Sequence, residues 1–252
     1  MTATKLRGVL LAGGTGSRLD PLTKITNKHL LPIGDRPMVS WAVEALAKAG
    51  IAELMVVTGA DHIDDFVRLL GDGKEYGLSS ISYAVQANAG GIAEALGLAE
   101  GFAKREPIVV MLADNLCERS LRATVQAFEE APIGARLVLS KVAQDEHLRH
   151  LGVAEINAEG IITAIIEKPA VPPSPFAVTG IYCYEASVFD VVKTLKPSDR
   201  GELEITDVNN HYVTAGQLTY DILEGFWGDA GESIEAYYAV NDFVRQEGVN
   251  KP

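Results

Sequence analysis

An apolar pattern, Val9-Leu10-Leu11-Ala12, runs into Gly13-Gly14-Thr15-Gly16-Ser17-Arg18 and then reaches Lys28-His29-Leu30-Leu31-Pro32. Glycines let the backbone take positive φ and come close to a ligand, so consecutive N–H groups can converge on phosphate oxygens. Arg18 and Lys28 add fixed positive charge beside that loop. The combination predicts a polyphosphate cradle. Its spacing departs from the two common phosphate loops. Counted from Gly14, the dinucleotide pattern needs a third glycine where the chain has Leu19; counted from Gly13, a Walker A loop needs glycine where it has Arg18.

Two aspartates stand where ligands bind. Ile108-Val109-Val110-Met111-Leu112 is the most apolar strand of the chain and is expected to be central, and it ends at Asp114-Asn115. In open α/β sheets the carboxyl ends of such strands face the ligand crevice. Asp229 lies in the Gly-flanked stretch Phe226-Trp227-Gly228-Asp229-Ala230-Gly231, where a loop frees a carboxylate from packing. Singly, each charged group has a structural explanation: Asp114 as a helix cap, Asp229 in an Asx-turn, Glu167 and Lys168 as a solvated strand end.

The elements that must carry these residues alternate between strand and helix in the first half, which predicts an α/β fold with a mostly parallel sheet. A helix follows Pro37 with Val39, Val43 and Leu46 on one face and ends at Gly50. Leu54–Val57 reads as a strand. Ile63, Phe66, Val67 and Leu70 form a helical stripe ended by Gly71-Asp72-Gly73. Ile81, Tyr83 and Val85 alternate as a strand running to Gln86, and Ala89-Gly90-Gly91 opens the next helix. In the second half, Gly152–Ile156 and Ile161–Glu167 flank Asn157–Gly160 as a hairpin, and Phe176–Tyr184 is a further strand. The sheet is therefore expected to become mixed. Prolines 169, 172, 173 and 175 mark an extended surface loop. A helix over Glu204–Thr214, a strand over Leu218–Leu223 and a last helix over about Ser233–Arg245 complete the reading.

The chain has 252 residues, 47% hydrophobic and 22% charged, which suits a globular protein with a sizeable core. Its net charge of -12 opposes nucleic-acid polymers and anionic membranes as partners, so local cations must do any phosphate binding. The segment from Met1 to Gly8 leads into an apolar run too short for a signal sequence, and nothing later resembles a membrane span, so a cytoplasmic location is expected. Cys117 and Cys183 lack metal-ligand spacing and read as ordinary thiols. His147 and His150 read as part of a solvated acidic loop.

Taken together, the segments resemble the sugar-phosphate nucleotidylyltransferases, and among them the short-form glucose-1-phosphate thymidylyltransferases. The resemblance spans nearly the whole chain. It rests on Leu11–Leu19, Asn27–Pro32, Gln86 with Ala89–Ala93, Asp114-Asn115, Glu167-Lys168-Pro169, Ala177–Tyr182, Gly201–Asp207 and Trp227–Gly231. It implies a Rossmann-like three-layer nucleotidyltransferase fold in a single domain over 1–252, with a nucleotide-binding part over about 1–143, a sugar-phosphate-binding part over about 144–231 and a C-terminal helix over about 233–246.

The reaction implied is that of dTTP, or alternatively UTP, with glucose 1-phosphate, releasing pyrophosphate, in a homo-oligomer that uses Mg²⁺. By the same resemblance, Asp114 and Asp229 hold the metal; Arg18, Lys28 and Lys168 are catalytic with them. Leu11, Gly13, Gly14, Thr15, Gly16, Ser17, Arg18, Lys28, Gln86 and Gly91 bind the nucleotide, Gln86 at the pyrimidine edge and Gly91 by allowing backbone approach. Asn115, Gly152, Glu167, Lys168, Val178 and Trp227 line the sugar pocket. Adjacent strand residues point to opposite faces, so Glu167 and Lys168 need a local twist or bulge to share a pocket.

The chain departs from the family where Ala113 replaces a glycine before Asp114 and where Glu232 replaces a threonine after Gly231. Longer members carry a tyrosine at the position of Leu151 and a helical tail that builds a regulatory nucleotide site; this chain stops at Pro252. Two competing readings are a glycosyltransferase of similar topology and a non-catalytic nucleotide-sugar-binding protein. The first usually needs Asp-x-Asp, and Leu116 occupies its second position. The retained Arg18, Lys28, Asp114, Lys168 and Asp229 weigh against the second.

Overall fold

A computed structural model describes residues 5–252; Met1–Thr4, which begin the segment read as lacking a signal sequence, lie outside the described residues. Along the chain, β1 (Arg7–Ala12) precedes a minor hairpin, β2 (Pro32–Ile33) and β3 (Arg36–Pro37). Then come β4 (Glu53–Gly59), β5 (Ser80–Gln86), β6 (Ile108–Leu112) and β7 (Asn115–Cys117). The second half holds β8 (Ala135–Lys141), β9 (Gly152–Ile156), β10 (Ile162–Glu167), β11 (Phe176–Tyr184), β12 (Leu218–Ile222) and β13 (Trp227–Asp229).

Nine strands form one sheet in the order β10-β9-β11-β6-β1-β4-β5, with β8 also on β11 and β12 on β8. The block β6-β1-β4-β5 is parallel; β11 runs antiparallel to β6, β8 and β9. The shift from parallel to mixed follows the expectation, and β6 is central, between β1 and β11. One sheet runs through both the nucleotide-binding and sugar-binding parts of the sequence reading: β8, from the first part, pairs with β11 of the second.

Alternation along the central strands feeds two cores, one on each face. Leu10, Ala12, Val109 and Met111 face a layer built by helix Met38–Ala49, helix Ile63–Leu70 and helix Arg122–Glu130. Val9, Leu11, Ile108 and Val110 face helices Ile92–Gly97, Val188–Thr194 and Ile205–Thr214. Period two in the strands meeting an apolar stripe in each helix gives the three layers. Fully buried side chains such as Leu10, Leu46 and Phe128 anchor this arrangement, and truncating one leucine there costs about 2–5 kcal/mol.

Local signals set the helix ends as expected. Helix Met38–Ala49 starts after Pro37 and stops at Gly50, whose φ of 106° only glycine adopts readily. Helix Ile234–Gln246 is capped by Ser233, whose side chain accepts from the Ala236 N–H at 3.0 Å. It covers a third, smaller apolar cluster with Leu19, Ile33, Leu116 and Ala230. That cluster fixes the underside of the glycine loop and of the β7–β13 ladder, the two pieces that carry the site. Among the described residues no helix is long and apolar enough to cross a membrane.

Candidate active site

Two cavities open side by side above the carboxyl ends of the parallel strands. The first, about 350 Å³, is lined by Leu11, Gly13, Gly14, Thr15, Gly16, Ser17, Arg18, Lys28, Gln86, Gly91 and Asp114, with His29 among others. The second, about 180 Å³, is lined by Asn115, Gly152, Glu167, Lys168, Val178, Trp227 and Asp229, with Arg18 again. Arg18, Ile92, Leu112 and Glu202 line both, so the cavities share a wall. The fold thus brings every residue assigned to the nucleotide, sugar and metal sites in the sequence reading to one of two adjoining pockets.

The loop after β1 turns through Gly14 and Gly16, both at positive φ, into a short helical turn, Ser17–Leu19. A second turn, Lys28–Leu30, is capped by Asn27, whose side-chain Oδ1 accepts from the His29 N–H at 2.9 Å. This cap aims Lys28 inward. Its ammonium donates to Asp114 Oδ2 at 2.5 Å, and His29 Nε2 lies 3.8 Å from the same oxygen. His29 is a site residue that the sequence reading passed over, although it sits inside the Asn27–Pro32 motif.

Asp229 reaches the site by a two-strand ladder: β13 pairs antiparallel with β7, setting Asp229 opposite Asn115, and the Ala230 N–H donates to the Asp114 carbonyl at 2.9 Å. Two carboxylates far apart in sequence are thereby set at one end of a single ladder, Asp229 closing β13 and Asp114 immediately preceding β7. Burial disfavours ionisation of Asp114, but the charge of Lys28 and the hydrogen bond from its ammonium outweigh it and hold that carboxyl well below the usual range. Asp229 behaves oppositely. Burial first, then the negative charge of Asp114, push it up to about 7 despite Lys28 and the Gly231 N–H at 2.8 Å. Burial lowers the His29 pKa and the charge of Lys28 lowers it further, so this imidazole stays neutral.

Asn115 holds this arrangement together. Its Oδ1 accepts from the Gly180 N–H and from Trp227 Nε1, both at 2.8 Å, and its Nδ2 donates to Asp114 Oδ1 at 3.1 Å. It lines the second cavity with its polar atoms already engaged. Trp227 likewise uses its indole N–H internally.

Glu167 and Lys168 share the second cavity because Lys168, just beyond the end of β10, has φ of 46°. This left-handed residue, its N–H donating to the Leu151 carbonyl at 3.0 Å, supplies the local twist the alternation rule demands. Glu167 Oε2 accepts from Thr206 Oγ1 at 2.7 Å, and Arg200 stands 3.7 Å from Oε1. Thr206 and Glu202 belong to the Gly201–Asp207 motif, the one signal that could have marked them as site residues.

Two readings of the sequence change. Gly91 is required by Leu203, whose backbone a Cβ would strike, so its pressure for glycine comes from the protein side rather than the cavity side. His147 is no solvated loop residue: its Nε2 pairs with Glu232 at 2.5 Å, an interaction that raises the imidazole's pKa, and His150 lines the second cavity. Glu232, the departure nearest Asp229, is thus paired with a histidine. Cys117 and Cys183 are buried, burial pushes both thiols up to about 12, and neither lines a cavity.

The donor set suits a hard divalent cation. Asp114 lines the first cavity and Asp229 the second, near enough for the charge of one to raise the pKa of the other, and a side chain at Gly231 would overlap both Asp114 Oδ2 and Lys28 Nζ, so the glycine keeps that space open. Among the described residues no group of three or more His, Cys, Asp or Glu is arranged to hold a metal ion. A cation here would therefore complete its shell with water and ligand oxygens.

Residues 7–247 match the family model for nucleotidyl transferases. The chain is 40% identical over 228 residues to the low-salt glycan biosynthesis nucleotidyltransferase Agl11 of Haloferax volcanii, covering 90% of this chain but 63% of that protein's length. It is 42% identical over 243 residues to a glucose-1-phosphate thymidylyltransferase of Actinoplanes sp., covering 95% of this chain and 78% of that one. A Bacillus anthracis structure, described as a candidate glucose-1-phosphate thymidylyltransferase in complex with a sucrose, superposes with a TM-score of 0.89 at 47% identity, covering 96% of each chain. A UDP-glucose pyrophosphorylase complexed with UDP-glucose superposes with a TM-score of 0.82 at 26% identity, over 94% of this chain and 97% of that one. On fold, site and sequence alike, this chain belongs to the nucleotidyl transferase family.

Proposed function

We propose that this chain transfers a nucleotidyl group from dTTP to α-D-glucose 1-phosphate, giving dTDP-glucose and pyrophosphate. The reading is carried by the meeting of the two cavities at Arg18, with Asp114 lining one and Asp229 the other. Such a wall is where two polyanions must be brought together. Similarity to the thymidylyltransferases supports the choice of substrates.

The first cavity takes the triphosphate, with the Gly13–Ser17 backbone, Arg18 and Lys28 on the phosphates and Gln86 at the base. The second takes the sugar phosphate, with Lys168 on its phosphate and Glu167, held by Thr206, accepting from sugar hydroxyls. A phosphate oxygen of the sugar attacks the α-phosphorus in line; the new P–O bond forms as the α–β bridging P–O bond breaks, and pyrophosphate leaves with the electron pair. Positioning and charge stabilisation do the catalytic work. Arg18, at the shared wall, faces the reacting phosphate. Asp114 and Asp229 would hold Mg²⁺, which supplies charge neutralisation to the phosphate oxygens. Asn115 keeps Asp114 oriented and Lys28 keeps it ionised.

UTP is the alternative donor, favoured by the similarity to a UDP-glucose pyrophosphorylase complexed with UDP-glucose. The two nucleotides differ by a ring methyl and a ribose hydroxyl, and a methylene-sized contact discriminates by only about 1–3 kcal/mol. The test incubates purified protein with Mg²⁺, glucose 1-phosphate and each nucleoside triphosphate in turn and follows pyrophosphate. Release with dTTP above the others is the expected result. Absence of release with any triphosphate and any sugar 1-phosphate would overturn the reading.

A further inference from the structure

Gln86 stands at the end of β5 with its side chain against the first cavity, and its amide is not free to turn. Nε2 donates to Glu94 Oε2 at 2.6 Å and to the Gly91 carbonyl at 3.1 Å. Both partners only accept hydrogen bonds, so the amide nitrogen must face them and Oε1 must face away. Oε1 lies toward Gly13, where a Cβ would come within 3.1 Å of it, on the cavity side. Glu94 is itself held. Its Oε2 also accepts from the Gly90 N–H at 3.2 Å, and a side chain at Gly90 would overlap the carboxylate. Glu94 does not line the cavity; it stands behind Gln86.

We propose that Glu94 sets the base preference of the first cavity by locking the Gln86 amide so that its carbonyl oxygen, and never its NH₂ group, meets the base. This rests on the reading that the first cavity holds a nucleoside triphosphate. An acceptor at that point complements the imide N3–H of uracil or thymine and opposes the unprotonated N3 of cytosine, where two lone pairs would face each other. An unlocked glutamine would turn its amide and serve either edge. Glu94 is thus a positioning residue for specificity, acting through Gln86.

UTP and CTP differ only along that edge, so they are the probes. Calorimetric binding of each is measured for the wild-type protein, Glu94→Met and Glu94→Gln, with circular dichroism as the control for folding. Wild-type protein is expected to bind UTP at least about tenfold more tightly than CTP, a difference of about 1.4 kcal/mol. Glu94→Met, which leaves only the longer bond to the Gly91 carbonyl on Nε2, should lower that ratio severalfold. Glu94→Gln, which still offers an acceptor oxygen, should keep more of it than Glu94→Met. A folded Glu94→Met variant with the wild-type ratio would overturn the proposal, and so would wild-type protein that binds the two alike; Glu94→Ala replaces the methionine variant if that one does not fold. A wild-type preference for UTP without pyrophosphate release would defeat the proposed reaction and leave the role of Glu94 standing.

Discussion

The Lys28 ammonium and the Asp114 carboxylate form a 2.5 Å ion pair at the floor of the first cavity, with side chains only 17% and 7% exposed. At that depth the pair is held by mutual need: burial alone would lower the lysine pKa and raise the aspartate pKa, and each charge reverses the other's shift. Removing one partner leaves the other as an uncompensated charge. Lys28→Met is therefore expected to destabilise the fold by about 3 kcal/mol, near the low end for breaking a buried pair because Lys28 keeps an open flank. Millimolar Mg²⁺ should recover part of the loss by taking over the charge of Asp114. Thermal unfolding with and without Mg²⁺ checks both statements.

Asp229 gives the opposite sign. Its pKa in the folded protein is raised to about 7, above the value near 4 of an unfolded chain. Stabilisation from this group is fully present below the unfolded value and is lost as pH rises through about 7, because the unfolded chain ionises first. At pH 7.5 without metal, Asp229→Asn should therefore stabilise the protein, by roughly 1–3 kcal/mol once discounted for the opening onto the second cavity. The same variant should lose activity. The gain should vanish near pH 4 and shrink in Mg²⁺. Unfolding curves across pH for the two proteins test this, and a destabilised Asp229→Asn at pH 7.5 would contradict it.

These two carboxylates also mark the limit of what the residues alone reveal. The glycine loop, the end of β6 and the hairpin of β9 and β10 are legible because each is written in local chemistry: turn residues, apolar runs and alternation. The ladder that brings Asp229 to Asp114 is not. Asn115–Cys117 and Trp227–Asp229 have three residues each, too few for a period, and their partners are 112 positions apart, as in the Asn115–Trp227 bond. Strand β8 escapes notice for another reason. Leu137, Val138 and Leu139 are buried in succession because both faces are covered, and Arg136 and Ser140 cut the run short on either side. The left-handed turn at Lys168 is invisible because lysine rarely adopts it.

That turn gives the third prediction. A left-handed φ at a residue with a Cβ costs roughly 1–2 kcal/mol, which glycine avoids. Lys168→Ala and Lys168→Gly both delete the ammonium, and should raise KM for glucose 1-phosphate to the same extent. They should differ in stability, the glycine variant being the more stable by about 1 kcal/mol. Equal denaturant midpoints for the two would show that the conformation at 168 is unstrained.

Arg18 lines both cavities and is exposed, so its guanidinium can follow charge from one phosphate to the next without carrying the fold. If it acts at the transition state, Arg18→Ala should lower kcat by about 10³–10⁵, the range of a charge-stabilising arginine in phosphoryl transfer. KM for dTTP and for glucose 1-phosphate should each move far less, because ground-state binding is shared with Lys28, Lys168 and the loop backbone. Arg18→Lys should recover little, since a point charge cannot bridge two oxygens as the planar fork does. Steady-state kinetics on the three proteins separates this from a binding role, in which KM would carry the loss and lysine would restore most of it.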